Sequence, residues 1–206
     1  MINEQYPGER VRTRLIDQFF EAALFREIPG DNGYDLRLLY QTHWQQICLA
    51  PGSRAIHQAW PGGYIEHVIQ VNRTIALLYA FCEQSGWLAT IAEDERFELG
   101  DALLIGALHD IEKPFGYHYN FVDGTFKAEC WLSTKPGRKR FREQLFANWQ
   151  FQLDPNQQNA LQYAEGLRDA DYTPHQRTMK PMAVLVHAAD LLSARVGYGF
   201  DGVQNG

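Results

Sequence analysis

Residues 99–113 read LGDALLIGALHDIEK, and this stretch decides how the rest of the chain is read. Leu99, Leu103, Leu104, Ile105, Ala107 and Leu108 leave it apolar on every face, the pattern of a helix buried all round. Pro114 disfavours helix at the residue before it, so the pattern predicts a helix over 99–111 that ends in the charged cluster His109-Asp110-Ile111-Glu112-Lys113. An imidazole and a carboxylate then emerge from an apolar helix, where an unpaired charge is costly. A bound cation removes that cost.

On the N-terminal side, residues 64–82 form a second largely buried helix, with Ile65, Val68, Ile69, Ile75, Leu78 and Phe81 on more than one face and Pro61-Gly62-Gly63 breaking the chain before it. Further upstream, Val11, Leu15, Phe19, Ala22, Ala23 and Phe25 recur at helical spacing over 9–28. Pro29-Gly30 and Asp31-Asn32-Gly33 supply turn chemistry, and Asp35 caps a helix through Leu36, Leu39, Tyr40, Trp44 and Ile47 that Pro51-Gly52 closes. Residues 1–52 therefore read as a helical hairpin packed on a core formed by 53–206. On the C-terminal side, Asp123-Gly124 predicts a small β-hairpin between Phe121 and Phe126, followed by helices over 138–151, 156–168 and 177–196. Nothing repeats at a fixed period, so the expected fold class is all-α, a single helical domain with one short β excursion.

Composition narrows the function. A chain of 206 residues is one domain at the ~150 residues a domain typically takes. Its 45% hydrophobic and 21% charged content is that of a chain that folds by burial. A formal charge of −6 argues against strong binding of nucleic acid through phosphate neutralisation. Three separated cysteines, Cys48, Cys82 and Cys130, suit reduced thiols, and no run reaches the ~18 apolar residues of a membrane helix. A cytoplasmic protein that does not engage membranes is expected.

Seven histidines and twelve aspartates in 206 residues give about 0.4 His-Asp pairs by chance, so His109-Asp110 by itself carries little. Two further polar residues intrude into apolar helices: His67, four residues after Gly63, and Asp190, amid Val184, Leu185, Leu191 and Leu192. Taken singly, His67 reads as a satisfied core histidine and Asp190 as an ion-pair partner of Arg195 or Lys180. Taken together, two imidazoles and two carboxylates suit a borderline or hard divalent ion, Mn, Co, Zn, Fe or Mg.

With the order His67, His109-Asp110, Asp190, at spacings of 42 and 80 residues, the chain resembles the HD-domain metal-dependent phosphohydrolases. The resemblance rests on the stretches 61–67, 107–113 and 185–195 and spans roughly 56–195. Gly62-Gly63 before His67, with His57 upstream, looks most like the branch that contains bacterial 3′→5′ exoribonuclease catalytic domains. Two departures matter. The interval between the His-Asp pair and Asp190 holds His118, His175 and His187 but no adjacent pair, which favours one metal ion over two. Glu112 stands where relatives commonly have Gly.

The resemblance implies an HD-type helical bundle in which His67, His109, Asp110 and Asp190 bind the ion and a phosphoester is cleaved by water. Lys113, Arg195 and the cluster Arg138, Lys139, Arg140 and Arg142 are placed to neutralise phosphoryl charge. His57 is a candidate for contacting an oxygen or protonating the leaving group, and Glu112 for a general acid or a solvated helix end. Tyr117, with Tyr119 and Phe121, is either a platform for a nucleobase or cross-strand packing, and Trp60 is a wall of the pocket. His187, one turn before Asp190, is a candidate for supporting the ligands. The implied substrate is a small phosphoester, a nucleotide or deoxynucleotide; the alternatives are a 3′→5′ exonuclease-like phosphodiesterase and a non-catalytic nucleotide sensor. Homo-oligomerisation is left open.

Overall fold

The computed structural model describes residues 27–28, 30–53, 58–167 and 177–196. The helix expected over 9–28, together with His57 and His175, lies wholly or mainly outside them. The chain runs through helices α1 (Gly30–Thr42), α2 (Trp44–Leu49), α3 (Gly63–Gln84), α4 (Leu99–Leu108) and α5 (Lys113–Gly116) into strands β1 (Tyr117–Asn120) and β2 (Thr125–Ala128). Helices α6 (Lys135–Asn148), α7 (Pro155–Tyr163) and α8 (Pro181–Arg195) complete it. The described chain is mostly helical with one two-stranded antiparallel excursion, as the sequence pattern predicts.

The layout follows burial. α3 packs against α4 on one side and α8 on the other, and α8 also covers α7. Leu103, Leu104, Ile105 and Leu108 are fully or almost fully buried there, as are Ile65, Val68, Ile75 and Val186. α1 adds Leu36, Leu39 and Tyr40 to the same core. Tyr40 donates its hydroxyl to Ala107 O (3.1 Å) and meets the Tyr64 hydroxyl at 3.0 Å, so a carbonyl in the last turn of α4 finds a partner inside the protein. At the other end of α4, Glu98 and Asp101 form a reciprocal cap.

Several boundaries differ from the sequence pattern for visible reasons. Asp31-Asn32-Gly33 belongs to the first turn of α1 rather than to a loop, because the Asn32 amide pairs with both backbone groups of Gln152. The following helix breaks at His43, whose ring packs edge-on against Phe115 and Trp149. α4 stops at Leu108, where Ile111 N bonds Leu108 O in a tightened turn. α6 begins three residues early because Thr134 caps it and Pro136 suits its first turn. α7 ends at Tyr163, and α8 begins only at Pro181. In the hairpin, Tyr117 pairs with Ala128 and Asn120 with Thr125, which puts 121–124 in the loop. Among the described residues, no helix is long and apolar enough to cross a membrane.

Candidate metal centre

Close backbone contacts bring the site together. Gly62 takes the left-handed conformation (φ 87°), and a Cβ on Gly63 would fall 1.9 Å from Gln58 O, so only this glycine pair lets the chain turn directly into α3. His67 follows one turn later on the buried face. α3 and α4 touch at Gly106, where a Cβ would lie 2.3 Å from Asn72 Oδ1. That approach brings the end of α4, with His109 and Asp110, against His67. Asp190 reaches the same point from the middle of α8.

His67, His109 and Asp110 form a buried cluster that can hold a metal ion, their donor atoms all lying within 4.8 Å of one another. His67 Nε2 is 3.2 Å from His109 Nε2 and 3.6 Å from Asp110 Oδ2, and His109 Nε2 is 3.3 Å from that oxygen. Asp190 Oδ1 lies 3.1 Å from His67 Nε2 and 3.5 Å from His109 Nε2. Donors bound at ~2.0–2.2 Å around one ion stand roughly 3.0–3.5 Å apart, so the group of His67, His109 and Asp110 can share a cation, and Asp190 lies beside its two imidazoles.

The protons on the imidazoles are already committed. His109 donates Nδ1–H to Gly106 O at 2.8 Å, which leaves its Nε2 lone pair facing the cluster. Ser193 donates to Gln70 Oε1 (3.0 Å), so at 3.0 Å its oxygen accepts Nδ1–H from His67. Gln58 donates to the same Gln70 oxygen at 2.8 Å. Both Nδ1 hydrogens are thus spent outside the cluster, and the two Nε2 atoms are turned toward the carboxylate oxygens of Asp110 and Asp190. Lys113 adds a positive charge, through contacts of its Nζ with Asp110 Oδ2 and Gly52 O.

The titration of the metal-free cluster follows from this crowding. Burial disfavours the His109 imidazolium, but Asp110 and Asp190 outweigh burial and push its pKa up to about 10. Burial lowers His67. Burial would raise Asp110 and Asp190; Lys113 and His109 instead hold Asp110 well below the usual carboxylate range, and the two histidines hold Asp190 below it. A proton thus occupies the space where a cation fits.

The other residues singled out in the sequence divide. Lys113 and Tyr117 line a cavity of about 190 Å³ beside Asp110 and Asp190, and Arg138 forms part of its wall. Glu112 is fully buried and turned the other way: its Oε1 accepts from Arg142 Nη2 at 2.8 Å and lies 3.6 Å from Arg138 Nε. It is not a solvated helix end: its carboxylate ties the His-Asp turn to α6, its Oε2 is buried without a hydrogen-bond partner, and burial pushes its pKa up. Arg140 and Arg195 are exposed and line neither cavity, so the structure does not bring them to the site.

Tyr117 and Tyr119 pack on Phe126, the cross-strand alternative. Trp60 donates to Glu66 (2.9 Å) and lines neither the small cavity nor the larger cleft between α6 and α7. His187 donates to Ala164 O (2.9 Å), which fastens the end of α7 to α8 instead of supporting Asp190. His118 pairs with Glu129 on the hairpin.

Ser193, Gln70 and Gln58, which aim His67, went unrecognised in the sequence, as did Glu165, described below. A signal did exist: Gln70 stands three residues after His67 and Ser193 three after Asp190, one helical turn along the same faces. The chain matches no family model, no curated protein and no solved structure.

Proposed function

We propose that this protein is a metal-dependent phosphohydrolase that holds one divalent ion on His67, His109, Asp110 and Asp190 and cleaves a small phosphoester, a nucleotide or deoxynucleotide in the reading the HD-type resemblance implies. The observation that carries the metal is the convergence of two imidazole lone pairs and two carboxylate oxygens, with both Nδ1 hydrogens spent elsewhere. Mixed imidazole and carboxylate donors suit Mn, Fe, Co, Zn or Mg rather than a thiophilic ion. When bound, such an ion supplies Lewis-acid polarisation of a phosphoryl oxygen and acidification of water.

The chain's own groups do the rest. Ser193, Gln70 and Gly106 O hold the imidazoles in the tautomer that presents Nε2, and bonds of that kind orient metal-binding histidines. Lys113 and Arg138 place two positive charges on the small cavity beside the cluster, where a phosphoryl oxygen would bring negative charge. Glu112 fixes Arg142 and Arg138 from behind and so positions that wall. The cytoplasm-like composition and the negative net charge support a small free substrate over a nucleic-acid end.

The test is metal analysis of the purified protein followed by phosphate release from nucleoside mono-, di- and triphosphates with Mn²⁺, Co²⁺ and Mg²⁺. About one ion per chain and metal-dependent release are expected, with both lost in Asp110→Ala. Wild-type turnover by Asp110→Ala in excess Mn²⁺ would refute the assignment. Metal binding without turnover of any phosphoester would instead point to a nucleotide sensor.

A further inference from the structure

A second, larger cavity of about 860 Å³ lies between α6 and α7, with His109 in its wall. Arg138 and Glu165 are the two residues that line both this cleft and the small cavity over Asp110 and Asp190. They are paired: Arg138 Nη2 donates to both Glu165 oxygens at 3.2 Å. Their ion pair therefore stands between the cleft and the small cavity over Asp110 and Asp190. Building on the phosphohydrolase reading, we propose that this pair is a displaceable gate. An anionic phosphoester takes the place of the Glu165 carboxylate on Arg138, and its leaving group lies in the cleft.

The gate is built for exchange. On its other edges the Arg138 guanidinium is held by Leu132 O (3.2 Å from Nη1) and by Glu112 (3.6 Å from Nε), so it stays in place when Glu165 departs. Glu165 is about half exposed, and such a pair is weakly held in water, whereas a phosphate engages a guanidinium through charge-assisted, two-pronged bonds. Lys135 Nζ, 3.9 Å from Glu165 Oε2, offers the released carboxylate a second partner. The Ala164 carbonyl is bonded to His187, so the backbone beside Glu165 remains tied to α8 while its side chain swings.

The cleft indicates what the leaving group is. Its α6 wall carries Lys139, Arg142 and Glu143 within five residues of Arg138, Lys139 lying 3.8 Å from Glu143, and Phe146 eight residues on, with Phe151, Leu153 and Leu161 also lining the cleft. Cations close to Arg138 along α6 and apolar rings about two turns beyond it suit a phosphoester of an apolar-faced, ring-bearing alcohol, a class that includes nucleosides. A volume of about 860 Å³ falls in the ~300–1,000 Å³ range of small-molecule sites.

Calorimetric titration of the Mn²⁺-loaded protein with inorganic phosphate and with naphthylmethylphosphonate, a non-hydrolysable ring-bearing probe, tests the gate without relying on turnover. Glu165→Gln leaves Arg138 uncontested, so both probes should bind about tenfold more tightly. The gain should vanish in Glu165→Gln combined with Arg138→Gln. Phe146→Ala should weaken the naphthyl probe about tenfold and leave phosphate unchanged. Unchanged affinities in Glu165→Gln, no binding by either wild type or variant, or equal weakening of both probes by Phe146→Ala would each overturn the proposal. Nucleotide hydrolysis with unaltered probe affinities would remove the gate and keep the phosphohydrolase; shifted affinities without hydrolysis of any nucleotide would do the reverse.

Discussion

Asp110 and Glu112 stand two residues apart on one turn, yet they lead into regions built on opposite rules. Asp110 faces a cluster of would-be metal ligands: two imidazole nitrogens 3.2 Å apart, each 3.1–3.6 Å from a carboxylate oxygen of Asp110 and of Asp190, with Lys113 alongside Asp110. Glu112 faces a wall in which carboxylate meets guanidinium, Arg142 directly and Arg138 beside it. Both sides are buried and both are polar. The matched side neutralises its charge within the protein, although Glu112 Oε2 and Arg142 Nε are left there without a hydrogen-bond partner; the unmatched side is stable only with a proton or a metal ion in its centre. Burial of charge alone therefore does not mark a site; an excess of one kind of partner does.

The sharpest way to break this comparison is Glu112→Ala. If the pair is scaffold, Arg142 is left in the interior without its carboxylate, and denaturant unfolding should show a loss of about 3–5 kcal/mol. A variant of unchanged stability with impaired turnover would instead make Glu112 a working acid. Gly106→Ala comes next. Its Cβ meets Asn72 Oδ1 at 2.3 Å and Ile75 Cδ1 at 2.6 Å, so α3 and α4 must separate. A destabilisation of about 1–3 kcal/mol is expected, with weaker metal uptake by equilibrium dialysis because the two imidazoles part.

Ser193→Ala separates orientation from fold. It removes the acceptor of the His67 Nδ1 hydrogen, and metal affinity should fall about 10–100-fold while the melting temperature of the metal-free protein moves little. The smallest effect is protonic. His109 has its folded pKa raised from 6.5 to about 10 in the metal-free cluster, so its stabilisation is complete below pH 6.5 and lost as pH rises through about 10. The metal-free protein should lose thermal stability across that window. At pH 7.5, titration with Zn²⁺ in buffers of different ionisation enthalpy should report about one proton released per ion bound. An uptake independent of pH would show that the cluster holds no proton for metal to replace.

How far the site was readable depended on how each residue interrupts its surroundings. His67 and Asp190 stood out because each breaks an apolar helix, and His109-Asp110 because it ends one. The five cations of 135–142 gave no such contrast. Their division follows from the phase of α6: Arg138 and Arg142, four residues apart, share the face that meets Glu112, while Arg140 points to solvent. The flanks of Asp190 misled in part, since Leu185 is buried but Val184, Leu191 and Leu192 are exposed. Ser193 looked like any helical serine, although its spacing from Asp190 placed it on the same face.

The sequence by itself determined that several apolar helices each carry a polar residue into the core, because a histidine or aspartate survives there only with a partner, and that requirement is local and visible. Which partner each one found was decided by tertiary packing alone. Asp110 and Glu112 diverge because the chain tightens after Leu108, and Arg138 meets Glu165, 27 residues away, because α6 lies against the end of α7. Direction and long-range pairing are properties of how helices stack, and no spacing along the chain encodes them.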